Sequence, residues 1–94
     1  METTLQIDGQ RGVVTALDNG TEVGNLVFKL REGGLMVITH TLTYEGNEGR
    51  GIGKLLVQAA VEYAQQHELK IVPLCSFVRV YIERRPELHH LIEE

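Results

Sequence analysis

The spacing of apolar residues changes once along this chain, and the change falls at Gly51. Before it, apolar and β-branched residues come in short runs separated by turn signals. After it, Ile52, Leu55, Leu56, Ala59 and Tyr63 recur at helical spacing, with Gln58, Glu62, Gln65 and Gln66 largely on the opposite side. A chain with strands in one half and one long helix in the other buries both by laying the helix across a sheet face, which predicts an α+β fold. Its 94 residues leave room for one domain, residues 1–94, and one core.

The first half predicts four strands. Residues 4–7 alternate and stop at Asp8-Gly9; residues 11–17 follow and stop at Asp18-Asn19-Gly20. Asn-Gly between two apolar runs is a hairpin signal, because both residues tolerate positive φ. Residues 22–30 return, Glu32-Gly33-Gly34 turns again, and residues 35–43 form a strand rich in Val, Ile and Thr. Successive short turns make this an antiparallel meander. The long helix ends near His67-Glu68, and residues 70–74 give a fifth strand whose Pro73 belongs at an edge or a strand end. A short helix over residues 77–83 stops before Arg85-Pro86. The polar tail, residues 87–94, predicts no element.

Composition excludes several classes of function. A net charge of -4 argues against a general nucleic-acid binder, which needs a basic face, and against a polybasic membrane anchor. No stretch approaches ~20 apolar residues, and Met1-Glu2-Thr3-Thr4 has neither the basic nor the apolar region of a signal peptide. Cys75 is the single cysteine, so no internal disulfide or cysteine-rich zinc site can form, in keeping with a reducing compartment and a cytoplasmic location. The adjacent His89 and His90 lack carboxylate or cysteine partners, so no metal is expected. No long unpaired apolar surface is evident, and the default expectation is a monomer.

The segment with most chemical content is Glu48-Gly49-Arg50-Gly51-Ile52-Gly53-Lys54. Three glycines at alternate positions open the helix, letting the backbone turn sharply and approach a ligand closely. The first N–H groups of a helix lack internal partners, and the helix dipole makes that end positive. Such a loop suits a phosphate or pyrophosphate, with Arg50 and Lys54 adding charge; glycine-rich strand-to-helix turns without a ligand are also common. The dinucleotide fingerprint fails, because Leu56 stands where its third glycine belongs. The P-loop fails too, because Leu55 follows Gly53-Lys54 where Ser or Thr is required. A pyrophosphate site on an antiparallel α+β domain points toward coenzyme A.

Set between a β meander and a long helix, this loop resembles the acetyl-CoA loop of the GNAT superfamily of N-acetyltransferases. The chain is similar in particular to small single-domain members, through His40-Thr41, through Gly51-Ile52-Gly53 with its helix, and through Val72-Pro73-Leu74-Cys75-Ser76-Phe77-Val78 followed by Tyr81. The likeness covers residues 12–86. It departs at Glu48, where the superfamily has Gln or Arg, and at Leu42, where small relatives tend to carry an acidic residue. Only Gly9-Gln10 separates the first two strands, where full-size members place helices, so the acceptor side should be open.

The resemblance implies an acetyl-CoA donor, an amine acceptor on a small molecule or lysine, and a splay between strands four and five. Thr41, Leu42 and Thr43, together with Glu48, Gly49, Arg50, Gly51, Ile52, Gly53 and Lys54, are the implied donor-binding residues. Tyr81 is implied to lie near the coenzyme sulfur as a general acid, its bland counterpart being a packed amphipathic tyrosine. Cys75 is implied to face the acetyl group, as a lining residue or a transient acyl acceptor; alternatively it is a small buried hydrophobe. His40 is a candidate base. By strict strand alternation it shares an apolar face with Met36, Ile38 and Leu42, which equally fits a core histidine. A CoA-binding module without catalysis is the alternative to an enzyme.

Overall fold

Asn19 and Gly20 turn the chain with φ of 50° and 84°, joining β2 (Arg11–Asp18) to β3 (Thr21–Arg31) as the Asn-Gly signal requires. The computed structural model describes residues 1–93; Glu94, the last residue of the polar tail, lies outside them. β1 (Glu2–Asp8) precedes this hairpin and β4 (Leu35–Thr43) follows it. Then come α1 (Ile52–Gln66), β5 (Lys70–Pro73) and α2 (Ser76–Glu83). The five strands form one sheet in sequence order, antiparallel from β1 to β4 and parallel between β4 and β5. The long crossover through α1 makes that last pair parallel.

One face of the sheet carries the core. Val14 and Ala16 of β2, Leu26 and Phe28 of β3, Met36 and Ile38 of β4 and Ile71 of β5 are sealed under Leu56, Val57, Ala60 and Ala64 of α1. Val78, Tyr81 and Ile82 of α2 join the same cluster. Packing there leaves no slack: a Cβ at Gly12 would stand 2.1 Å from Cζ of Phe28. Val27 and Val37 are buried but lie outside this cluster. Only the turn at Gly9 separates β1 from β2, and no helix arises there.

The register of β4 corrects one expectation. Val27 pairs with His40, yet Phe28 pairs with Ile38, so Thr39 is an extra residue, a β-bulge. Its hydroxyl donates to the Val27 carbonyl at 3.1 Å. The bulge resets the alternation, and His40 leaves the face of Met36 and Ile38 and is exposed. It is not a core histidine.

The tail is also more structured than its polarity indicates. Pro86–Leu91 form a 3-10 helix, Leu91 is buried, and Ile92 makes a parallel bridge with Ile71 while Glu93 N–H donates to the Ile71 carbonyl at 2.9 Å. Three apolar residues, Leu88, Leu91 and Ile92, dock this segment on the core.

Candidate active site

β4 and β5 part company partway along. Their pairing ends at Ile38 and Pro73, whereas β4 continues to Thr43. The cause is local. Pro73 has no N–H to donate, the Thr39 bulge bends β4 at the next residue, and the Ile38 carbonyl accepts from both Leu74 (3.1 Å) and Cys75 (3.2 Å) as the chain turns into α2. Backbone polarity beyond this point follows from one bond: Tyr44 N–H donates to Val23 of β3 at 3.0 Å. By two-residue alternation the amides of Leu42 also face β3, while those of Thr41 and Thr43 face the gap. Leu42 can therefore meet a ligand only through its side chain, which is half exposed.

Cys75 sits where the strands diverge. It is the N-cap of α2, and its thiol, partly buried, donates to the Thr41 hydroxyl at 3.7 Å. Burial raises the thiol pKa, but N–H groups of Val78, Phe77 and Thr41 and the Thr41 hydroxyl outweigh it, and the net effect lowers it from the ordinary thiol value. The midpoint of a pH–alkylation profile with iodoacetamide should then fall below that of the urea-denatured chain. An equal or higher midpoint would remove the claim that these donors face the sulfur.

The glycine loop closes the other end of the gap. Gly49 and Gly51 have φ of 79° and 76°, and a Cβ built on either meets nothing within 4 Å, so open space lies above both. Gly51 is the N-cap of α1, without a side-chain cap and without an acidic residue in the first turn. The first intrahelical bond runs from Leu55 N–H to the Gly51 carbonyl at 3.1 Å, which leaves the N–H groups of Ile52, Gly53 and Lys54 without helical acceptors. The Ile52 side chain is in the core, so that residue offers backbone alone.

The charged residues of the loop differ in their freedom. Glu48 folds back to accept the Gly46 N–H at 3.0 Å and pairs with neither Arg50 nor Lys54. Arg50 donates to Asn47 at 2.8 Å and to Asp18, at the tip of the β2–β3 hairpin, at 2.5 Å. That hydrogen bond and charge hold Asp18 below the usual carboxylate range. The pair is exposed, so it fixes the loop against the hairpin more than it stabilises the fold. Lys54 is exposed.

Tyr81 is 8% exposed, with the Arg85 guanidinium 3.6 Å above its ring. Among the described residues no hydrogen bond uses its hydroxyl. Cys75, Thr41 and Thr43 are thus brought to one gap. His40 stands on the other sheet face, and His89 in the tail approaches the Glu83 carbonyl at 3.1 Å.

A parted sheet edge facing an uncapped, glycine-started helix is the geometry that the loop and strand motifs imply, and residues 13–91 match the family model described as GCN5-related N-acetyl-transferase. The chain belongs to this family. Among solved structures, it is similar to the ribosomal-protein-alanine N-acetyltransferase of Brucella melitensis biovar Abortus 2308, with 22% identity and a TM-score of 0.67 over 82% of this chain and 64% of that one. A GCN5-like protein of Staphylococcus aureus has 22% identity and a TM-score of 0.68 over 96% and 87%. A streptothricin acetyltransferase of Bacillus anthracis, solved with acetyl coenzyme A, has 19% identity and a TM-score of 0.61 over 70% and 38%. These likenesses establish the GCN5-related fold, and the chain spans less than two thirds of the Brucella and Bacillus proteins. Within that fold Asp18 and Arg84 carry no motif, and Phe77 lies inside the Val72–Val78 segment without a role of its own there. Only the helical spacing of Phe77, Val80, Tyr81 and Arg84 marks Phe77 and Arg84 as neighbours on one face. No helix among the described residues is long and apolar enough to cross a membrane.

Proposed function

We propose that this protein is an acetyl-CoA-dependent N-acetyltransferase acting on a primary amine of a small molecule or an exposed lysine. The observation that carries this reading is the gap itself: outward amides of Thr41 and Thr43 lead toward the free N–H groups at the start of α1. An extended chain bearing amides can pair with the former while its pyrophosphate meets the latter. Gly49 and Gly51 leave the space that a bulky phosphate needs.

In this reading the backbone positions the thioester, and an outward-facing N–H of the splayed part of β4 stabilises developing negative charge on its carbonyl oxygen. The amine, having lost a proton to His40 or water, attacks the carbonyl carbon; the C–S bond then breaks and Tyr81 or water returns a proton to the thiolate. Cys75 lines the site. The acceptor enters from the sheet face that bears His40, supported by the absence of a helix between β1 and β2.

Turnover separates an enzyme from a module that only binds CoA. Incubation with acetyl-CoA and a panel of polyamines, amino sugars and lysine peptides should release free CoA thiol with at least one acceptor. Saturable CoA binding with no thiol release across the panel would favour the binding module.

A further inference from the structure

On the edge of β5 away from β4, the docked tail and α2 border a cleft of about 530 Å³. Arg79 and Glu83 of α2 and His89 and Glu93 of the tail line it, over an apolar floor of Val72, Ile82 and Ile92. The backbone of this edge is already closed. Ile71 is taken by the tail, Pro73 has no N–H, and the Pro73 carbonyl accepts from Nη2 of Arg79 at 3.0 Å. A partner strand therefore finds no free group at Ile71 or Pro73 to pair with, and the cleft suits a small molecule. Its volume falls within the ~300–1,000 Å³ of pockets that take one.

The walls carry both signs of charge, held apart. Arg79 and Glu83 are i and i+4 on α2, a spacing at which opposite charges can meet, yet the guanidinium goes to the Pro73 carbonyl instead. Among the described residues neither Arg79, Glu83 nor Glu93 is in an ion pair. Nε2 of His89 lies 3.1 Å from the Glu83 carbonyl, which fixes the tail against the end of α2. Among those residues Glu83, His89 and Glu93 do not converge closely enough to hold a metal ion. A ligand with separated charges of its own can span what the side chains do not: a carboxylate for the remaining N–H groups of Arg79, ammonium groups for Glu83 and Glu93. Two carboxylates against one guanidinium favour a ligand with two ammonium groups and one carboxylate, and the apolar floor suits the methylenes between them. We propose that this cleft binds a free basic α-amino acid of the lysine type. The site is separate from the β4–β5 gap, which lies on the other side of β5, and does not rest on the acetyl-CoA reading.

The test follows the backbone amides of the ¹⁵N-labelled full chain by NMR at low salt. The ligands are L-lysine, cadaverine, which lacks the carboxylate, and Nα-acetyl-lysine, which lacks the α-ammonium. L-lysine should give saturable shifts at Val72, Arg79, Glu83 and His89, with Gly49 and Gly51 unmoved. Cadaverine and Nα-acetyl-lysine should each bind about tenfold more weakly, a difference that shrinks as salt screens the exposed charges. Arg79→Gln should weaken L-lysine by about tenfold and leave cadaverine no weaker. No saturable shift at these residues with L-lysine would overturn the proposal. Equal binding of L-lysine and cadaverine would overturn it too, reducing the cleft to a surface that attracts cations. Equal binding of Nα-acetyl-lysine would overturn it in favour of peptide C-termini. The wild-type comparison decides even if the variant does not fold.

Discussion

Phe28→Ala should lower the unfolding free energy by about 3–5 kcal/mol, the usual cost of deleting a fully buried aromatic ring. Phe28 is 0% exposed; its ring fills the hollow that Gly12 leaves and lies tilted against Tyr63 with centroids 5.9 Å apart. The site has little means of collapsing around the loss, because the sheet backbone at Gly12 forms one wall. For a chain of this length total stability is on the order of 5–14 kcal/mol, so this single change removes a large share of it. Urea denaturation followed by circular dichroism measures the effect. A loss of less than about 1 kcal/mol would mean that the ring is not the sealed centre of the core.

Gly51→Trp should weaken acetyl-CoA binding at least about 100-fold. Each hydrogen bond from a backbone N–H to a charged phosphate contributes roughly 1.5–3 kcal/mol, and displacing the pyrophosphate forfeits several of them. The indole would occupy the open space above the loop, and the left-handed backbone at Gly51, φ 76°, adds strain for any side chain. Gly51 lies at the exposed end of α1 rather than in the core, so the fold should survive, which far-ultraviolet circular dichroism checks. Calorimetric titration gives the binding loss. Retained affinity in a folded variant would place the phosphates elsewhere.

The order of strands and helices is legible in the sequence because local signals set it. Asn19-Gly20 and Gly33-Gly34 demand turns, and the spacing after Gly51 permits only a helix. The place of the glycine loop follows for the same reason. The Thr39 bulge is not legible, since it depends on how β4 registers against β3 and on the Thr39 hydroxyl reaching the Val27 carbonyl. That one residue moved His40 from the helix-covered face to the surface. Arg50 reads as a phosphate ligand until the fold brings Asp18, distant in sequence, beside it. The tail reads as solvent-exposed because its three apolar residues are interleaved with charge; they find their partners only when β5 lies next to them. Local conformation is written locally, whereas pairing across the chain is decided by packing.

The claim at the centre of this account is that acetyl-CoA lies between β4 and β5 with its pyrophosphate at the start of α1. The most direct test is a titration of the ¹⁵N-labelled chain with acetyl-CoA, following every backbone amide by NMR. The account predicts saturable shifts concentrated at Thr41, Thr43, Gly49 through Lys54, and Cys75 through Val78, with Leu5 and Val14 on β1 and β2 unmoved. Shifts confined to other surfaces, or none at millimolar donor, would contradict it.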